Sequence, residues 1–268
     1  MPDNTHTGTT QSRTTHSADG SILEFQKVGD GAVLIVIGGA FNDLQSAAPL
    51  VPLLAEHFTV VSYDRRGRGG STDTSSRPPY LVEREVQDLQ ALIAGTGGSA
   101  MLYGHSSGGV LALEATMRGL PVTAVAVYEP PYTAGEQQDP VDDWAQQIQQ
   151  AVADDDPERA AETFLGRIGG GVLGHLKQMP WWPHMVAVAH TLPYDVALVG
   201  DGRMPTERLA TLDVPVLVMD GDQSEGWRRD AVAALTSAVP GARRMTVHGQ
   251  AHPVAADAVA PRLIEFFG

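Results

Sequence analysis

Short apolar runs rich in Val, Ile, Leu and Tyr punctuate this chain and alternate with stretches whose apolar residues recur at helical spacing. Strand-like runs lie at Ile22 to Lys27, Ala32 to Ile37, Thr59 to Tyr63, Ser99 to Tyr103, Val122 to Tyr128, Val214 to Met219 and Arg243 to Val247. Several stop at turn residues, in Gly38-Gly39, in Asp64-Arg65-Arg66-Gly67 and in Glu129-Pro130-Pro131. Strands this apolar are buried on both faces, as a mainly parallel sheet flanked by helices requires. The pattern therefore predicts an α/β fold. Helices are expected from Leu81 to Ala94, from Val110 through Met117 to a stop at Gly119, and from Asp257 to Phe267, where Leu263, Ile264, Phe266 and Phe267 form the apolar side.

Between about Tyr132 and Thr206 the rhythm breaks into helical segments, a Gly169-Gly170-Gly171 joint and the run Met179-Pro-Trp-Trp-Pro-His184. A segment inserted after the strand ending at Tyr128 lies over the carboxyl ends of the strands, where open α/β sheets bind ligands. It reads as a helical lid, with Trp181 and Trp182 either lining a substrate pocket or filling core between lid helices. The expected organisation is a disordered tail over residues 1–18, an α/β core over 19–131 and 207–268, and the lid over 132–206.

With 268 residues, 43 % of them hydrophobic, the chain suits one domain with an insertion. A formal charge of −14 repels phosphate backbones and anionic lipid, so neither a nucleic acid nor a membrane surface is expected as a partner. The absence of cysteine excludes disulfides, thiolate metal sites and a cysteine nucleophile. Residues 1–17 are rich in Thr, Ser, Asn, His and Gln without an apolar h-region, and no stretch reaches the roughly 18 apolar residues that span a bilayer. The expectation is a cytoplasmic protein.

The run Met101-Leu-Tyr-Gly-His-Ser-Ser-Gly-Gly-Val110 places Gly-x-Ser-x-Gly between a strand pattern and a helix pattern, which makes Ser106 a candidate nucleophile on a sharp strand-to-helix turn. The amide of Ser107 then faces a developing oxyanion, and a second amide from the loop Gly38-Gly39-Ala40-Phe41-Asn42, that of Ala40 or Gly39, completes the pair. Phe41 joins Trp181 and Trp182 as a candidate pocket residue. A serine hydroxyl needs a base, and His252, in Val247-His-Gly-Gln-Ala-His-Pro253 between the last strand and the last helix, sits at the carboxyl edge of the sheet. His248 lies closer to the strand, and either histidine also fits a purely structural loop role. The acid is open between two residues. After the penultimate strand, Asp220-Gly-Asp-Gln-Ser-Glu225 carries Ser224 where an acid is usual, with Asp222 displaced from it. Glu129 ends the strand after the elbow among apolar neighbours, where a buried carboxylate needs a partner: an imidazole, or a lid arginine such as Arg167. Glu129 is favoured, with Asp222 as the alternative. Asp64 to Gly69 lacks the lysine and serine of a phosphate loop and reads as a structural turn.

Taken together, Tyr63-Asp-Arg-Arg-Gly-Arg-Gly-Gly-Ser71, Gly104-His-Ser-Ser-Gly108 and Gly249-Gln-Ala-His252 resemble the α/β-hydrolase fold superfamily from about Gly20 to Phe267 outside the lid, with Gly38-Gly39 where many members have His-Gly. An acid following the strand after the nucleophile is similar to fungal zearalenone lactonase and some haloalkane dehalogenases. Dehalogenases and epoxide hydrolases of this fold use an aspartate nucleophile, which Ser106 argues against. The resemblance implies a serine esterase or lactonase: Ser106 attacks the carbonyl of a small-molecule ester or lactone, His252 moves the proton, the Ala40 and Ser107 amides hold the oxyanion, and water frees the acyl-enzyme, with no metal or organic cofactor. A perhydrolase, acyltransferase or C–C hydrolase would keep the same triad, and a non-catalytic ligand-binding protein would keep only the fold.

Overall fold

The computed structural model describes residues 12–75, 77–133, 141–168 and 173–268. Eight strands form one sheet: β1 (Ser12–His16), β2 (Ile22–Val28), β3 (Val33–Ile37), β4 (Thr59–Tyr63), β5 (Ala100–His105), β6 (Val122–Tyr128), β7 (Val216–Gly221) and β8 (Arg243–Val247). Their order is β1-β2-β4-β3-β5-β6-β7-β8. The pairs β1/β2 and β2/β4 are antiparallel, and every pair from β4/β3 to β7/β8 is parallel. The helices are α1 (Val51–Ala55), α2 (Val82–Thr96), α3 (Ser107–Met117), α4 (Val141–Ala153), α5 (Pro157–Ile168), α6 (Leu173–Leu176), α7 (Trp182–Val188), α8 (Leu192–Val199), α9 (Thr206–Leu209), α10 (Gly226–Ala238) and α11 (Ala256–Phe267).

The pleat divides each central strand between two cores. In β3, Ile35 and Ile37 face a cluster with Leu89 of α2, Leu113 of α3 and Val232 of α10, while Leu34 and Val36 face one with Leu54 of α1 and Leu263 of α11. Both faces are therefore dry, which is why the strands are apolar at successive positions. β7 begins at Val216 rather than Val214 because Pro215 has no N–H to give to a ladder.

The expected disordered tail needs correction. Residues 1–11 lie outside the described residues, but Ser12–His16 forms β1, in register with β2 from Ser12 opposite Gln26 to His16 opposite Ile22. Most of its side chains are exposed, so it is held by its backbone ladder rather than by an apolar face. Polar composition misled because an edge strand docked on a finished sheet needs no hydrophobic pattern.

Helices α4 to α8 come between β6 and β7 and share their own apolar cluster, including Trp144, Ile148, Phe164, Trp182, Val188 and Leu192. Phe41, from the loop after β3, belongs to the same cluster and packs edge-on to Phe164 at 5.4 Å. The Gly169-Gly170-Gly171 joint lies outside the described residues.

Candidate active site

Five loops at the carboxyl ends of β3, β5, β6, β7 and β8 converge. Ser106 is the single residue between β5 and α3, with φ 55° and ψ −126°. The turn is tight enough to exclude side chains on either side: a Cβ on Gly104 would lie 2.3 Å from the Gly108 carbonyl oxygen, and one on Gly108 would lie 2.3 Å from that of Ile37. The Ser106 amide donates to Tyr128 O at 2.9 Å, pinning the elbow to the end of β6. Among the described residues, four non-glycine residues have positive φ, and three of them, Phe41, Ser106 and Glu129, lie on these loops. Such strain persists only where surrounding structure imposes it, and it concentrates at functional sites.

Glu129 follows β6 with φ 45°, and its side chain is fully buried. Its Oε1 accepts from the Gly221 amide at 2.9 Å and from Ser224 Oγ at 2.5 Å, while Oε2 faces His252 Nδ1 at 2.8 Å. Burial works to raise the Glu129 pKa, but the bonds from His252, Ser224 and Gly221 outweigh it and hold the carboxyl below its ordinary value. An ionised carboxylate only accepts, so His252 carries its proton on Nδ1 and presents a bare Nε2. Burial in turn lowers the His252 pKa, against the raising effect of Glu129, and the nearby Arg228 charge adds to the lowering.

The His252 loop is clamped through its backbone. Tyr128 Oη donates to Ala251 O at 2.8 Å, and His105 Nε2 donates to His252 O at 2.8 Å. The His105 ring packs between those of Tyr128 and His252, with centroids 5.8 and 4.8 Å away, and burial depresses its pKa to about 4. His105 is therefore neutral with one N–H to give. Among the described residues no hydrogen bond joins Ser106 Oγ to the His252 ring.

Asp222 is elsewhere. It binds the exposed His248 (Oδ2 to Nδ1, 3.1 Å) and accepts the Gly249 amide at 2.8 Å, so it caps the start of the histidine loop, and among the described residues no hydrogen bond or ion pair joins it to His252. Arg167, the alternative partner for Glu129, lies over the Trp144 ring at 5.5 Å instead; the arginine near Glu129 is Arg228, at 4.0 Å.

In the loop after β3, the Gly39 amide is occupied by Asn42 Oδ1 at 3.0 Å, whereas the Ala40 amide meets no acceptor among the described residues. The Ser107 amide opens α3 and is one of the donors a helix leaves over. Of the aromatic candidates, Phe41 and Trp182 are buried in the apolar cluster of α4 to α8, which for Trp182 is the core-filling role, and Trp181 is 41 % exposed.

Sequence reasoning missed Asp195. This carboxylate is fully buried on α8 and receives Arg65 Nη1, Arg68 Nη2 and Ser107 Oγ, each at 2.7 Å. A lone acid inside the apolar stretch Leu192 to Val199 and three arginines directly after a buried strand were the available signals, since buried charges require partners. Asp64 itself closes a turn, accepting from the Leu44 and Gly70 amides at 2.7 and 2.9 Å.

A mainly parallel sheet that carries a strained serine elbow and an acid-bound histidine at its carboxyl edge defines a hydrolase-type architecture, and the chain belongs to the alpha/beta hydrolase family, whose model matches residues 33–262. An alpha/beta hydrolase from Sphaerobacter thermophilus is 43 % identical in sequence, with a TM-score of 0.87 over 96 % of this chain and 100 % of that one. A pimeloyl-[acyl-carrier protein] methyl ester esterase from Stenotrophomonas maltophilia is 29 % identical over 91 % of this chain and 96 % of its own length. The hydrolase YraK of Bacillus subtilis is 32 % identical, but the match spans 37 % of either chain. An enol-lactonase from Burkholderia xenovorans, 20 % identical with a TM-score of 0.73 over 95 % of this chain and 99 % of that one, shares the fold. Among the described residues no helix is long and apolar enough to cross a membrane.

Proposed function

We propose that this protein is a serine hydrolase that cleaves a carboxylic ester or lactone of a small to medium apolar substrate through an acyl-enzyme. The observation that carries this reading is the Glu129–His252 pair, whose loop is bonded through the His252 carbonyl to His105, the residue directly before a serine held in a strained elbow. His252 Nε2 takes the Ser106 proton as Oγ attacks the carbonyl carbon, and the C=O electron pair moves onto oxygen, where the Ala40 and Ser107 amides receive it. Collapse expels the alcohol, which takes the proton from His252. A water activated by the same nitrogen then releases the acid and restores Ser106. Glu129 holds the tautomer and stabilises the imidazolium in both halves. The lowered His252 pKa keeps the ring neutral at pH 7, as a base must be.

Esterase and lactonase names among the similar proteins support this bond type. Helices α4 to α8 serve as a lid, supported by the packing of Phe41 into their core directly beside the oxyanion loop. The test is turnover of p-nitrophenyl acyl esters of increasing chain length and of simple lactones by wild type and Ser106→Ala. Hydrolysis by wild type and none by the variant is expected; equal rates in the two would overturn the reading.

A further inference from the structure

We propose that Asp195 and Arg68 are positioning residues that aim the two oxyanion amides, so that a single carboxylate from the inserted helices holds both donors. This rests on the serine-hydrolase reading above. Arg68 Nη1 donates to the carbonyl oxygens of Gly39 at 2.7 Å and Asn42 at 2.9 Å, and its Nε donates to Thr191 Oγ1 at 3.0 Å. In a trans peptide the C=O and the following N–H point in opposite directions. Drawing the Gly39 carbonyl onto Arg68 therefore turns the Ala40 N–H away from the guanidinium, and the Gly39 amide, already taken by Asn42 Oδ1, is removed from competition. The peptide lies against the elbow, since a Cβ on Gly39 would stand 2.9 Å from Ser106 Cβ.

Asp195 ties this arrangement to the second donor. Its Oδ2 accepts from Arg68 Nη2, and its Oδ1 accepts from Ser107 Oγ, the side chain of the residue whose amide opens α3. Arg65 closes the network, bonding Asp195 Oδ1 at 2.7 Å, Gly38 O at 3.3 Å, and Glu85 through Nε and Nη2 at 2.6 and 2.7 Å. All four charged groups are buried, each 2 % exposed or less. Apolar residues of the same volume would hold two layers together at least as well as a buried ion network, and what the network adds is fixed direction. Phe41 gives a second link from the same loop to the same helices. The inserted helices thus set the electrostatics of the reaction as well as covering it.

The experiment compares wild type, Asp195→Asn and Ser107→Ala by kcat and KM for a p-nitrophenyl ester, by the Ki of phenylboronic acid, which forms a tetrahedral adduct on a serine nucleophile, and by the pH profile of kcat/KM. Rates are normalised to active sites titrated with a fluorophosphonate. Asp195→Asn is expected to lower kcat by about 10- to 100-fold with KM changed less than about threefold, the loss typical of an oxyanion donor being of that order or larger. The boronate Ki rises in the same proportion, and the pH profile keeps its shape because the Glu129–His252 pair is untouched. Ser107→Ala, which leaves both arginines paired with Asp195, is expected to show the same pattern at a few-fold size and decides the matter alone if Asp195→Asn does not fold. Wild-type kcat and boronate Ki in the folded variants would overturn the inference while leaving the hydrolase reading standing. Wild type that neither reacts with the fluorophosphonate at Ser106 nor turns over esters would overturn both.

Discussion

Two carboxylate–histidine pairs stand on the same group of loops, and the contrast between them teaches what the site requires. Asp222 and His248 are 26 residues apart and joined at 3.1 Å; Glu129 and His252 are 123 residues apart and joined at 2.8 Å. The first pair is solvent-exposed, its histidine side chain 82 % accessible, and the second is buried on the carboxylate side with both oxygens bonded. A contact between an acid and an imidazole is cheap at the surface and orders little. Inside, the carboxylate fixes which nitrogen carries the proton, because the other tautomer would leave the buried Oε2 without its donor and set two lone pairs against each other. Short sequence separation is a poor guide to such a pair, and burial with a full set of donors is a good one.

The sharpest way to break the contrast is to remove its target. Ser106→Ala is expected to lower kcat for p-nitrophenyl esters by about five to six orders of magnitude, as loss of the nucleophile in a triad does, and steady-state assays check it. Glu129→Gln keeps the shape but reverses the tautomer preference of His252, and about a 10⁴-fold fall in kcat is expected. Ser224→Ala strips one donor from Glu129 Oε1, leaving the Gly221 amide, and about a tenfold fall in kcat is expected from the poorer anchoring. The pH profile sharpens the comparison further. Because burial sets the His252 pKa below 6.5, the acid limb of kcat/KM for wild type is expected below pH 6.5, activity being lost as the ring protonates on acidification. Asp222→Asn is expected to change kcat by less than about twofold and to leave that limb in place, since surface substitutions away from such features do little.

Much of the fold was legible because a sheet covered on both faces demands apolar strands, and the strands Thr59–Tyr63, Val122–Tyr128 and Arg243–Val247 have the bounds their pattern predicts. The elbow was legible because steric demands at Gly104 and Gly108 are local. Strand β1 was not, since its stability comes from backbone pairing to which composition is blind. Nor was the Asp195 network, whose partners are 88 to 130 residues away and whose meaning appears only when the helices fold over the sheet. Ser224 looked like a missing acid, and in the fold it is a donor to the acid one strand over.

The central claim, that Ser106 is the nucleophile and that the buried pair rather than the exposed one activates it, is tested most directly by peptide mass mapping of the fluorophosphonate-treated protein, timed in wild type, Glu129→Gln and Asp222→Asn. One adduct is expected, on Ser106, forming at the same rate in wild type and Asp222→Asn and slowed by orders of magnitude in Glu129→Gln. An adduct on another residue, or labelling slowed by Asp222→Asn and not by Glu129→Gln, would contradict it.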